Sequence, residues 1–138
     1  MGYEVEVISV DGRTTALGSA GSFTLVVDRA KEAGGGGLGF SGGQLLNLAV
    51  AGCVSNDLFR EAAKAGITLR RVRVTASSEY SGTPAVSSPI EYSIEVEGEA
   101  TDDQLRALIE DVDRIAEIPN SIRRGTEVRL TRAPDAHA

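Results

Sequence analysis

"QLLNLAVAGCVSNDLFREAAKAG" (44–66) contains the one cysteine of the chain, Cys53. The first half of the stretch is almost wholly apolar and the second half is charged. Leu45, Leu46, Leu48, Ala49, Val50, Ala51 and Val54 leave little polar face, and a helix apolar all round is expected to be buried all round. The spacing predicts a helix over 44–66, ~35 Å long at 1.5 Å per residue. Ser41 is its expected N-cap and Gly66 its expected C′ stop. From Asn56 onward one side turns polar, so the helix is expected to meet water there.

Upstream, "YEVEVISV" (3–10) alternates and is rich in β-branched residues, the pattern of a strand. "DGRT" (11–14) is a hairpin turn, and "SFTLVVD" (22–28) is a later strand of the same meander. Residues 29–43 form a glycine-rich loop, long enough that a mobile or partner-packed role is expected. Downstream, "LRRVRVTASSEY" (69–80) places Val72, Val74, Ala76 and Tyr80 on one face and Arg71, Arg73 and Glu79 on the other. "IEYSIEVEG" (90–98) places Ile90, Tyr92, Ile94 and Val96 inward and three glutamates outward. A sheet with one dry face and one wet face is antiparallel in character, and the arginines of one strand can lie across from the glutamates of the other. "TDDQLRALIEDVDRIAEI" (101–118) is an amphipathic helix. It has a Thr101–Gln104 capping box and an apolar stripe through Leu105, Leu108, Ile109, Val112, Ile115 and Ala116, and Pro119 is expected to stop it. "TEVRLTR" (126–132) reads as a final strand and 133–138 as a frayed tail. The fold class is α+β. One domain over 1–138 is expected: a β-meander (1–28), the glycine loop (29–43), the central helix (44–66), a β-β-α-β segment (67–132) and the tail.

Composition narrows the function. The net charge is −6 and Trp is absent, which argues against nucleic acid, whose backbone needs a basic face and whose bases need aromatic platforms. A single cysteine excludes an intrachain disulfide and a multi-cysteine metal site. The single histidine, His137, sits beside the C-terminus, so Ser-His-Asp and Cys-His chemistry is not expected. No metal or cofactor is implied. No apolar run has membrane-spanning length and no apolar leader precedes the first strand, so the default expectation is cytoplasmic with no membrane partner.

Two motifs have competing readings. Gly34, Gly36 and Gly39 form a G-x-G-x-x-G before a helix, yet the strand before them is several residues away. Asp57, the acidic residue about 20 on, falls inside a helix instead of closing a second strand, so dinucleotide binding is disfavoured. Cys53 is either a small packing residue or a reactive thiol. It lies too far along its helix for the N-terminal dipole to act on it. Asp57 at i+4 would disfavour a thiolate, and Arg60 at i+7 shares that side. The Arg123–Arg124 pair reads as solvated. The carboxylates at 102, 103, 110, 111 and 113 read as one water-facing helix side.

The order of elements and two motifs together resemble the OsmC/Ohr family of thiol proteins that reduce organic hydroperoxides, over nearly the full length. "GGGGLGFSGGQLLNLAVAGC" (34–53) is similar to the family's glycine-rich segment, Asn-Pro-Glu-Gln-Leu motif and apolar helix ending in Ala-Cys. "IPNSIRRGTEVRL" (118–130) is similar to its Cys-Pro-x-Ser, Arg-Gly and strand, with one residue deleted. The resemblance implies an OsmC-like fold of antiparallel sheets around a long buried central helix with a second amphipathic helix, in an intertwined homodimer. It implies that Cys53 is the reactive cysteine, with Arg13 as the candidate activating cation and Ser41, Gln44, Ser121, Arg123 and Arg124 near the site. Two family positions are lost: Gly43 stands for the glutamate that holds the arginine, and Ile118 for the resolving cysteine. The implied activity is therefore weak reduction of a small organic hydroperoxide in a one-cysteine cycle, with an external thiol as reductant. The alternative implied is a non-catalytic member that binds a small apolar ligand or senses oxidants at the dimer interface.

Overall fold

The computed structural model describes residues 1–132, so the expected tail and His137 lie outside the described residues. The chain is α+β, and its residues gather into two compact units: 1–49 with 77–90, and 50–76 with the segment from 91 onward.

In the first unit, β1 (Glu6–Ser9), β2 (Ala16–Ala20) and β3 (Phe23–Val27) form an antiparallel meander in the order β1-β2-β3. The turn at 11–14 forms as expected: Arg13 N donates to Val10 O and Val10 N to Thr15 O, with Gly12 at φ +67°. The middle strand has a weak sequence signal because it is Ala-Leu-Gly-Ser-Ala, which lacks the β-branched residues that mark strands. A short 3₁₀ turn (Lys31–Ala33) follows, and Phe40 then bridges back to Val27. Gly39 passes so close to β3 that a Cβ on it would sit 2.4 Å from Val26 O, so no larger residue fits without moving the loop. Helix α1 (Gly42–Lys64) begins in this unit. Ser41 and Gln44 close its start reciprocally: Gln44 N donates to Ser41 Oγ and Ser41 N to Gln44 Oε1.

The second unit holds the rest of α1, β4 (Leu69–Ser77) up to Ala76, β7 (Glu91–Gly98), α2 (Asp102–Ile115) and α3 (Glu117–Arg123). Between β4 and β7 the chain makes the small β5 (Tyr80–Ser81) and β6 (Val86–Ser87) hairpin of the first unit. β4 therefore ends earlier than its alternation suggests, and Tyr80 belongs to the hairpin, where it is exposed. β4 pairs with β7, and Arg73 meets Glu95 at 3.8 Å on their wet face. The core of this unit is Val54, Leu58 and Ala62 of α1 against Leu108, Val112 and Ala116, with Val72, Val74, Tyr92 and Ile94 packed on it. The spacing of Val54, Leu58 and Ala62 is one helical face. Gly66, at φ +70°, stops α1 as expected.

Three expectations are corrected. The central helix is not buried all round within one chain: Leu48, Ala49 and Phe59 are exposed. Pro119 does not stop the second helix. The break falls at Ala116, which is extended (ψ 125°), and Pro119 lies inside the first turn of α3, where a missing N–H removes no helical hydrogen bond. Residues 126–132 form no strand. No neighbouring strand pairs with them among the described residues, and Val128 and Leu130 stand 96% and 85% exposed.

Candidate functional site

Cys53 lies in the second unit on α1 and is half-buried against the Val54–Leu58–Ala62 core. One turn on, at i+4, is Asp57, a buried carboxylate. Its Oδ2 accepts from Cys53 Sγ at 3.9 Å, a long contact of the length sulfur permits. Its Oδ1 pairs with Arg60 Nη1 at 3.2 Å. Arg60 also holds Glu61 through Nε, and Glu61 holds Lys64 at 2.9 Å. The i, i+3 and i, i+4 spacings line these groups along the helix, from a thiol at the core edge to a lysine in water. The hydrogen bond to Glu61, with the charge of Asp57 behind it, raises the Arg60 guanidinium further above its ordinary range. It stays a cation at any working pH.

The other expected site residues separate into two groups. Ile118, Ser121, Arg123 and Arg124 share the second unit with Cys53. Arg123 is committed to another partner: Nη2 binds Asp113 Oδ1 at 2.6 Å and Nη1 binds Asp113 O at 2.9 Å. Tyr92 Oη donates to the same carboxylate oxygen. Asp113 stays half exposed on the water-facing side of its helix, yet it is drawn into a pair with Arg123 and Tyr92, because the strand position of Tyr92 lets its hydroxyl reach across from β7 to α2. Burial first, and the bond to Asp113 second, push the Tyr92 hydroxyl up to about 12. The bond from Tyr92, followed by that from Arg123, holds the Asp113 carboxyl below its ordinary value. Ser121 Oγ donates back along α3 to Glu117 O at 2.7 Å, and Arg124 makes no ion pair among the described residues. Both arginines are exposed, as a solvated pair would be, but only Arg123 is held by a carboxylate.

Arg13, Ser41, Gly43 and Gln44 belong to the first unit. Ser41 and Gln44 cap α1, a role that the Ser-x-x-Gln spacing advertises. Gly43 lies under the ring of Tyr80: a Cβ there would stand 3.0 Å from Tyr80 Cε2 and 3.5 Å from its hydroxyl oxygen. The ring lies where a larger side chain on residue 43 would begin, so a carboxylate cannot be restored at 43 without displacing Tyr80.

The glycine loop is built around Asp28, which the sequence does not flag because its partners come from distant positions. Thr14 Oγ1 and Thr15 Oγ1 each donate to it at 2.8 Å, Arg29 N at 2.7 Å, and Gly36 N and Leu38 N at 3.2 Å. Asp28 is 4% exposed, and these donors, the Thr15 hydroxyl foremost, hold its carboxyl well below the usual carboxylate range. The N–H groups that a phosphate would need are turned onto this carboxylate, which removes the dinucleotide reading. An apolar groove of about 250 Å³ lies over the meander, lined by Val5, Val7, Phe23, Leu25, Val27 and Leu45 among others. Among the described residues no group of three His, Cys, Asp or Glu side chains could hold a metal, and no helix is long and apolar enough to cross a membrane.

The family model for OsmC-like protein matches residues 34–131, which include the glycines of the loop, Cys53 and α3. The chain belongs to the OsmC-like family. Its fold is that of solved members. An OsmC-like protein of Mycoplasma pneumoniae aligns over 91% of this chain and 89% of its own, with TM-score 0.73 at 18% identity. The OhrB organic hydroperoxide resistance protein of Bacillus subtilis aligns over 91% and 93%, with TM-score 0.63 at 16% identity. An organic hydroperoxide resistance protein of Legionella pneumophila, OsmC, aligns over 89% and 90%, with TM-score 0.63 at 19% identity. A comparison with curated proteins finds no match. The matched residues include Cys53 on the central helix, and Ile118, at the position that the resemblance implies for a resolving cysteine, is half-buried in α3.

Proposed function

We propose that this OsmC-like chain is a homodimeric, cytoplasmic thiol protein that reduces small organic hydroperoxides through Cys53, with no metal or cofactor. The observation that carries the reading is the thiol itself: in a family whose solved relatives include hydroperoxide resistance proteins, Cys53 is half-buried and has one polar partner, the Asp57 carboxylate. The Cys53 thiolate attacks one peroxide oxygen and the O–O bond breaks. The alcohol leaves with a proton from water, and Cys53 becomes a sulfenic acid. Ile118 can form no disulfide, so an external thiol attacks the sulfenic sulfur and releases water. A second external thiol frees Cys53 and leaves as a disulfide. Arg13 is the candidate cation for the attack.

The dimer reading is supported by what one chain leaves uncovered. Leu48 and Phe59 on α1, Phe23 and Val7 at the groove, and Val128 and Leu130 near the end are all exposed. Obligate dimers cover such side chains by burying over ~2,000 Å². Sedimentation showing a folded monomer at micromolar concentration would refute the dimer. For the activity, one equivalent of an organic hydroperoxide should add one oxygen to Cys53, trapped by a sulfenic-acid reagent and absent in Cys53→Ser. Turnover should continue with a monothiol, and Arg13→Ala should slow it. An unoxidised Cys53 would instead support the alternative, a member that binds a small apolar molecule in the groove lined by Phe23 and Leu45.

A further inference from the structure

We propose that Asp57 is a positioning residue for Cys53, and that the reactivity of the thiol is set by the balance between the Asp57 carboxylate and the Arg60 guanidinium. The inference deepens the proposed function and rests on Cys53 being its reacting group.

The geometry divides one carboxylate between two tasks. Oδ2 takes the thiol at 3.9 Å and Oδ1 takes the guanidinium at 3.2 Å. The Asp57 side chain is 9% exposed, while that of Arg60 is 48% exposed. The anion is therefore fixed in a low-dielectric setting and its counter-charge sits at the water boundary. Negative charge developing on Sγ faces this anion from a few ångströms away and is opposed by it; Arg60 offsets that opposition from the far oxygen. Arg60 is itself shared, because Glu61 accepts from its Nε at 3.1 Å and the more distant Glu117 also draws on its charge. Asp57 also accepts a hydrogen bond from the sulfur, which gives the S–H a preferred direction. A packing cysteine needs none of this, and a buried carboxylate with only one ion pair is a costly substitute for the apolar residue that could fill its place.

The two charges make opposite predictions. Alkylation by iodoacetamide, a neutral reagent, forms the Sγ–C bond, expels iodide and releases the thiol proton to water, so its rate reads the anionic sulfur without any peroxide chemistry. At fixed neutral pH, Asp57→Asn should react ~5-fold faster than wild type, and Arg60→Gln ~5-fold slower. Arg60→Lys, which keeps the charge, should recover most of the loss, and the Asp57→Asn, Arg60→Gln double variant should return toward the wild-type rate. A purely structural role for Asp57 would loosen the site and speed alkylation in both single variants. Because Arg60 is at the surface, its variants remain folded and keep the test decisive even if Asp57→Asn does not fold. Arg60→Gln reacting as fast as wild type or faster overturns the proposal, as does a folded Asp57→Asn that reacts no faster. Oxidation of Cys53 by an organic hydroperoxide is measured on the same samples. Ordered alkylation rates with no oxidation leave this inference standing and remove the proposed function. Oxidation with flat alkylation rates does the reverse.

Discussion

Asp28 and Asp57 are buried to nearly the same degree, 4% and 6% exposed, yet their surroundings differ in kind. Asp28 collects five donors, two threonine hydroxyls and three backbone N–H groups, all from its own unit. Every lone-pair direction is answered, and its charge does structural work only. Asp57 has one arginine at the water boundary and one thiol, a weak donor. A carboxylate answered by many neutral dipoles is anchored; one answered by a single exposed cation can be altered from outside. The same residue type, equally hidden from water, thus serves a loop in one unit and a thiol in the other.

Stability should break this symmetry most plainly. Asp28→Ala frees five donors at once and should lower the thermal midpoint by ~10 °C, whereas Asp57→Ala should lower it by only ~3 °C. Equal losses in calorimetry would dissolve the distinction. Acid should sharpen it. With its folded-state affinity for protons depressed, Asp28 contributes stability that is present above the unfolded carboxylate value, about 3.9, and disappears as pH falls through the lower folded value. The stability gap between wild type and Asp28→Asn should therefore be constant near neutrality and close below about pH 4; a gap that persists unchanged at pH 2 is the contrary result. Tyr92 works in the opposite sense. Its hydroxyl is pushed up to about 12, above the ordinary value near 10, so its share of stability is intact below pH 10 and is lost as pH climbs toward 12. Of the three tyrosines, one should titrate late in an ultraviolet absorbance titration, and Tyr92→Phe should remove that phase. The smallest effect belongs to Arg60→Gln, which removes a half-exposed cation from the buried Asp57 and should lower the midpoint by ~2 °C, less than the loss of the carboxylate itself.

What the sequence discloses follows the range of the interactions. The central helix, both of its ends, the stripe from Leu105 to Ala116 and the alternation in β4 and β7 are local patterns, and they are present in the structure at nearly the expected positions. The Cys53–Asp57–Arg60 line is legible for the same reason, since helical spacing alone sets it. Pro119 misleads because its effect depends on where the helix starts, and the chain restarts one residue after Ala116. Residues 126–132 have strand-like alternation but no strand beside them within the chain. Asp28 and Asp113 are silent in the sequence because their partners are brought to them by turns and sheet register, over separations of up to 21 residues. Nothing in the neighbourhood of either residue announces them.

The Asp28 arrangement can also be described as a receptor with its ligand attached. The loop offers N–H and hydroxyl groups to an anion, and the chain supplies that anion on a tether, at an effective concentration a dissolved carboxylate could match only in large excess. Cutting the tether should expose the receptor. In Asp28→Gly the cradle formed by Thr14, Thr15, Gly36 and Leu38 would stand vacant at the size of a small carboxylate. Formate or acetate should then recover part of the lost thermal midpoint, while chloride at the same ionic strength recovers less. The loop would have changed from a closed fold element into a small-anion sensor by the removal of a single side chain.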